Sequence, residues 1–199
     1  MFSKKSAFLI VFVIIIVSFF VWRGIPPFQL RTDSFPGLLI SHEQNPTITA
    51  VKIYKSQRKF ELYGDGQIIG IFKIGLGFAP SGDKEVEGDG KTPVGKFAVC
   101  YINKNTPYVY FYGLNYPNLE DAERGLSKGL ISQKEYEQIL QAVQSGATPL
   151  WQTPLGGEVG IHGGGNLLDW SAGCVTVSDT DILILEKYLT LGTVVEIKP

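Results

Sequence analysis

The chain of 199 residues is poor in the residues that build metal centres and disulfide frameworks, with two cysteines, two histidines and one methionine. His42, His162, Cys100 and Cys174 show no zinc-ligand spacing, so the sequence offers no metal site and calls for no cofactor. Two cysteines can form one disulfide in an oxidising compartment, but they are not a disulfide framework. An excess of positive charge is also missing. The 18 basic residues meet 19 acidic ones, for a net charge of -1, which argues against a nucleic-acid partner. No internal repeat is visible. What is present is a globular composition, 44% hydrophobic and 12% aromatic, on a chain long enough for one domain with a sizeable core and an insertion. The 23 glycines and 11 prolines imply many turns and short strands.

The N-terminus is a separate object. Lys4 and Lys5 precede an uncharged stretch from Ser6 to Trp22, and Phe8 to Val17 is apolar all round, unlike an amphipathic surface helix. As a helix, the uncharged stretch spans about 25 Å, at the short end for a bilayer. Trp22 and Arg23 suit an interface. A cleaved signal peptide is the rival reading, but Ser18 to Pro27 contains no Ala-x-Ala site. The expected organisation is a cytoplasmic tail (1–5), a single transmembrane anchor (6–23), a linker (24–47) and a folded domain (48–199) on the extracytoplasmic side. The basic residues before the anchor favour that orientation, and Arg23 and Arg31 oppose it. His42 reads as a solvated linker histidine.

From Ile48 the pattern is that of strands. Ile48 to Lys55 and Arg58 to Tyr63 alternate, Gly64-Asp65-Gly66 supplies a hairpin turn, and Gln67 to Leu76 continues. After a Gly/Asp-rich loop, Thr92-Pro93-Val94-Gly95 leads into an apolar strand, Lys96 to Ile102. Cys100 on that strand is expected to be a small core thiol. Tyr108, Tyr110 and Tyr112 alternate along one face, which reads as packing. Residues 118–146 switch to helical signals: an Asn118 cap, a Gly129 stop, and a Ser132 to Glu135 capping box before Tyr136, Ile139, Leu140 and Val143 at helical spacing. This helical hairpin is an insertion, either a lid or substrate-binding element or a packing appendage. Short strands follow at Glu158 to Ile161 and Gly173 to Val177. Ser178 caps a C-terminal helix expected over Asp179 to Leu189, Gly192 stops it, and Thr193 to Lys198 forms the last strand.

The informative stretch is Ile161 to Val177. The domain's only histidine and one of its two cysteines both lie there, each beside glycine at a strand end. A free thiol is mostly protonated at neutral pH, and a nearby imidazole can take its proton and later give it to a leaving group. Flanking glycines let backbone approach a substrate and aim amides at a developing oxyanion. His162-Gly163-Gly164-Gly165 also suggests the oxyanion glycines of some serine hydrolases, but no Gly-x-Ser-x-Gly elbow accompanies it.

Ile161-His162-Gly163 followed by Ser171-Ala172-Gly173-Cys174 resembles the active-site signature of the L,D-transpeptidase catalytic domain. Thr92-Pro93-Val94-Gly95, the early hairpin and the closing Gly192-Thr193-Val194-Val195 strand are similar to further features of that family. Many members have histidine or arginine at the position of Ala172, and asparagine or arginine at that of Thr176. A subgroup with His-Gly-Gly-Gly, Asp-Trp-Thr/Ser-Ala-Gly-Cys and a helical insertion is more similar. The resemblance implies a mainly β, sandwich-like catalytic fold, here with the helical-hairpin insertion and C-terminal helix, and its implied substrate together with the N-terminal anchor points to the periplasmic side of the bacterial cytoplasmic membrane. It implies Cys174 as nucleophile and His162 as base, acting on peptidoglycan stem peptides without a metal or organic cofactor. The Gly173 and Cys174 amides are the expected oxyanion donors. Gly163 is expected to orient the imidazole through its carbonyl, Ser171 to support the loop or to be a surface turn serine, and Trp170 to wall the substrate groove or join the core. Asp169 reads as a turn or cap residue rather than a third catalytic member. Hydrolysis by an L,D-carboxypeptidase or amidase, a non-catalytic membrane-tethered wall-binding module and a general thiol protease are the alternatives. The acceptor amine and the oligomeric state are not legible.

Overall fold

The computed structural model describes residues 35–40 and 45–199. The expected tail and membrane anchor, and His42 in the expected linker, lie outside these residues. Among the described residues, no helix is long and apolar enough to cross a membrane.

A two-residue strand, β1 (Gly37–Leu38), falls inside the stretch read as a linker; Gly37 and Leu38 pair with Ile71 and Gly70. A pair this short has no periodicity to read. Alternation then sets the next strands. Val51 and Ile53 are buried on β2 (Thr49–Tyr54), and Phe60 and Leu62 on β3 (Lys59–Gly64). Asp65 and Gly66 take positive φ and turn the chain into β4 (Gln67–Lys73). The fifth strand, β5 (Gly95–Thr106), outruns its expected end and changes partners along its length. Its first half pairs with the C-terminal strand β9 (Val194–Lys198), and its second with β6 (Val109–Leu114). A register irregularity between Val99 and Tyr101 marks the change. The short strands β7 (Gly160–His162) and β8 (Val175–Thr176) complete the sheet, in the order β1-β4-β3-β2-β9-β5-β6-β7-β8. The expected sandwich is thus one curled sheet rather than two separate ones.

The ends of that sheet meet. Beyond β4, Gly75 and Thr176 exchange backbone hydrogen bonds of 2.8 and 2.9 Å, and the Phe78 N–H donates to the Ser171 carbonyl at 2.9 Å. This approach requires glycine, since a Cβ on Gly75 would lie 2.4 Å from the Leu168 carbonyl oxygen. Inside the curl, Phe60, Leu62, Phe72, Ile74, Leu76, Tyr112, Leu114, Ile161, Val175 and Val177 form one core. Burial of each large aliphatic or Phe side chain there is worth about 1.5–3 kcal/mol.

The insertion folds as expected into α1 (Leu119–Ser127) and α2 (Gln133–Ser145), with reciprocal capping boxes at Asn118 and Ser132. It has its own small core of Ala122, Ile131 and Ile139 around Leu155. Arg124 on α1 donates to the Lys84 carbonyl at 2.8 Å and pairs with Asp121 and Asp83. The last helix, α3 (Asp179–Leu185), ends before the expected Leu189 because the chain tightens. There the Lys187 and Tyr188 amides bond three residues back, to Ile184 and Leu185.

Asp169 is more than a turn residue. Its carboxylate accepts from Arg58 Nε at 3.0 and 3.1 Å, from Arg58 Nη2 at 2.6 Å and from the Leu76 N–H at 2.9 Å. It joins the β2–β3 turn and the β4 extension to the segment before Cys174. Asp169→Ala leaves a guanidinium and a backbone amide without their acceptor, so a loss of roughly 1–3 kcal/mol is expected. Urea denaturation measures it, and an unchanged midpoint would contradict the linkage.

Candidate active site

The sheet brings the two candidate residues together. His162 closes β7, Cys174 immediately precedes β8, and the parallel register pairs Ile161 with Val175 and His162 with Thr176. Both side chains line one cavity of about 460 Å³ with Trp170, Ser171, Tyr108 and Trp151. A second cavity of about 240 Å³ also reaches Cys174, bordered by Lys84, Gly156, Gly157 and Gly173. Glu158, Ala172 and Cys174 border both cavities. No α1 or α2 residue borders either one among the described residues. The insertion instead grips the loop that carries Lys84.

His162 is 4% exposed and fixed on several sides. Its Nδ1 lies 2.6 Å from the Gly163 carbonyl oxygen. A carbonyl can only accept, so this contact assigns the proton to Nδ1 and leaves Nε2 as the acceptor. The imidazole ring lies 4.5 Å from that of Tyr108 and 5.7 Å from that of Trp170, centroid to centroid. The Gly163 N–H donates to the Tyr108 carbonyl at 3.0 Å, and a Cβ on Gly163 would come within 2.6 Å of that oxygen. Burial pushes the imidazole below its ordinary value, with the Gly163 carbonyl opposing in part.

Cys174 is partly exposed through the two cavities but closely surrounded, and burial pushes its thiol up to about 11. The Gly160 N–H and the Lys84 ammonium favour the thiolate, while the negative charge of Glu158 disfavours it. The Sγ–H donates to the Glu158 carbonyl at 3.5 Å. Both shifts favour a neutral pair, thiol and imidazole, rather than thiolate and imidazolium.

The connecting loop is held from within. The buried Ser171 Oγ donates to the Cys174 carbonyl at 2.7 Å and accepts from the Gly173 N–H at 3.1 Å. That bond engages one of the two amides expected to face an oxyanion. No hydrogen bond of the described residues uses the Cys174 N–H. Trp170 is 40% exposed, so it stands on the cavity wall and not in the core, with Nε1 donating to the Gly165 carbonyl at 3.1 Å. Asn166 Nδ2 donates to the Lys73 carbonyl at 2.8 Å, and the Gly164 N–H to Asp179 Oδ1 at 2.7 Å.

Several wall residues carry no sequence signal. Of the three tyrosines read as one packing face, Tyr112 is buried in the core, whereas Tyr108 stacks on His162. Val109 takes φ 70°, which breaks the strand alternation between them. Tyr101, Phe111, Trp151 and Glu158 reach the cavity from segments distant in sequence. Cys100, expected in the core, is half-buried on β5, with burial raising its thiol. Both cysteines are unpaired. No group of three or more His, Cys, Asp or Glu that could hold a metal occurs among the described residues.

Residues 48–197 match the family model of the L,D-transpeptidase catalytic domain. Among solved structures, the helical cell shape determining protein Pgp2 from Campylobacter jejuni is similar at 23% identity and a TM-score of 0.52, covering 83% of this chain and 51% of that one. Bdellovibrio bacteriovorus Bd1075 is similar at 22% identity and a TM-score of 0.51, covering 83% of this chain and 53% of that one. An L,D-transpeptidase from Xylanimonas cellulosilytica matches at 16% identity and a TM-score of 0.45, covering 78% of this chain and 62% of that one. The chain therefore spans little more than half the length of these structures. No curated protein matches significantly.

The neutral pair has a kinetic signature. Alkylation of Cys174 by iodoacetamide in the free protein is expected to rise with pH and to keep rising above pH 9, because the reactive thiolate forms only near the raised value of about 11. Mass-spectrometric rates across pH, with Cys174→Ala as blank, measure this. A plateau reached below pH 8 would instead show a preformed thiolate–imidazolium pair.

Proposed function

The chain belongs to the L,D-transpeptidase catalytic-domain family, and on that premise we propose that it is a peptidoglycan L,D-transpeptidase with Cys174 as nucleophile and His162 as base. The observation that carries this reading is that the paired ends of β7 and β8 open both residues into one cavity, with Nδ1 of His162 fixed on Gly163. Nε2 is then the nitrogen available to a thiol proton.

In the first step His162 takes the Cys174 proton, and the sulfur attacks the amide carbonyl between the third and fourth residues of a stem peptide. The Cys174 N–H is the proposed oxyanion donor, and Ser171 holds the loop that presents it. The carbon–nitrogen bond breaks, His162 returns the proton to the leaving amine, a D-amino acid departs and a thioester remains. In the second step an amine attacks the thioester carbonyl and loses a proton to His162. The carbon–sulfur bond then breaks, and His162 reprotonates the thiolate. A neutral starting pair suits this cycle, since His162 is free to accept at the outset of each half. The second cavity gives the thioester a separate approach for the amine.

The uncharged stretch from Ser6 to Trp22 is proposed as the single-pass anchor, with the domain on the extracytoplasmic side of the bacterial cytoplasmic membrane, where peptidoglycan lies. The function that follows is cell-wall remodelling.

The full chain incubated with tetrapeptide muropeptides, with products read by mass spectrometry, tests the reading. Cross-linked or D-amino-acid-exchanged products are expected. Cys174→Ala should abolish them, and His162→Ala should reduce them by about 10²–10⁴-fold. Tripeptides alone would make the protein an L,D-carboxypeptidase, and no turnover with no adduct on Cys174 would make it a wall-binding module.

A further inference from the structure

Glu158 stands at the junction of the two cavities, beside the nucleophile. Its backbone takes φ 53°, a left-handed conformation that L side chains rarely adopt, directly after Gly156 and Gly157. The Glu158 carbonyl accepts the Cys174 thiol, and the next strand, β7, runs on to His162. The side chain is exposed, and its carboxylate has no ion pair or hydrogen bond among the described residues. The cation on the wall of the smaller cavity is differently placed. Lys84 is 3% exposed, and its ammonium is held by Asp89 Oδ1 at 2.9 Å and the Val86 carbonyl at 3.0 Å. The uncompensated charge at the junction is therefore negative, and it opposes formation of the thiolate next to it. A carboxylate in this position is of no help to the first step, but it suits a cation that arrives for the second.

We propose that Glu158 is the acceptor-selecting residue, whose carboxylate receives the ammonium group of the incoming amine between the two cavities. The assignment rests on Cys174 being the acylated nucleophile. The amine arrives as an ammonium ion and gives one proton to solvent. The neutral nitrogen bonds to the thioester carbonyl carbon, the carbon–sulfur bond breaks, and the remaining surplus proton passes through His162 to sulfur. Water carries no positive charge for the carboxylate to attract, so Glu158 biases the thioester towards aminolysis.

The test compares two acceptors on the full chain acylated by a tetrapeptide muropeptide. One is isotope-labelled D-alanine, cationic at its nitrogen; the other is hydroxylamine, uncharged at neutral pH. In Glu158→Gln the KM for D-alanine should rise, and the D-alanine to hydroxylamine rate ratio should fall by about tenfold, equivalent to about 1.4 kcal/mol. Glu158→Asp should restore part of the ratio. Iodoacetamide should alkylate Cys174 in Glu158→Gln at least as fast as in the unaltered chain, which a merely structural role would not give. An unchanged ratio, or an equal fall for both acceptors, overturns the assignment alone. Absence of any acyl adduct on Cys174 in the unaltered chain overturns the functional reading, and the assignment with it.

Discussion

The hydrogen bonds exchanged between Gly75 and Thr176 hold the site together, because they join the two ends of the curled sheet. Without that closure, β8 and the Cys174 segment would be attached to the domain chiefly through β7. With it, the loop between His162 and Cys174 is pinned from both sides: Ser171 bonds Leu76 and Phe78, Asp169 bonds Leu76 and Arg58, and Asn166 bonds Lys73. The glycine at 75 follows from the closeness of these segments, since a Cβ there would come within 2.4 Å of the Leu168 carbonyl oxygen, and Gly77 is required by the Gly90 carbonyl, 2.1 Å from where its Cβ would lie. Relative placement of Cys174 and His162 is therefore a property of sheet curvature, not of the loop alone.

The electrostatics of the pair follow from the same enclosure. Burial penalises charge on both groups, raising the thiol and lowering the imidazole. A pair that starts neutral becomes ionic only as the thiol proton moves, and aromatic rings are packed around His162. Lys84 and Glu158, which both border the smaller cavity, then act in opposite directions on Cys174. The helical insertion takes part indirectly, since Arg124 fixes the backbone of Lys84 while its helices border neither cavity.

Much of this was legible in the chain. Val51, Ile53, Phe60 and Leu62 reported their strands by alternation, and Asn118, Ser132 and Ser178 announced helix starts through hydrogen-bonding chemistry that acts within three residues. His162 and Cys174 stood out through their residue type and neighbouring glycines. Features that depend on long-range pairing did not. β1 has two residues, the change of partner along β5 is set by a bulge, and Tyr108 differs from Tyr110 and Tyr112 only because Val109 turns the chain. Glu158 lacks any local pattern; its significance comes from the cavities that meet beside it. Ser171 read equally as a loop support or a surface turn serine, and its burial and the capture of the Gly173 amide by its hydroxyl required the folded geometry.

The central claim is covalent chemistry at Cys174, and trapping the intermediate tests it most directly. The full chain would be mixed with a tetrapeptide stem donor, quenched in acid within the first turnover, weighed intact and mapped by peptide. The account predicts a tripeptidyl adduct on Cys174 that hydroxylamine releases, as a thioester requires, and that does not form in Cys174→Ala. Products that accumulate with no adduct, or an adduct on another residue, would contradict it.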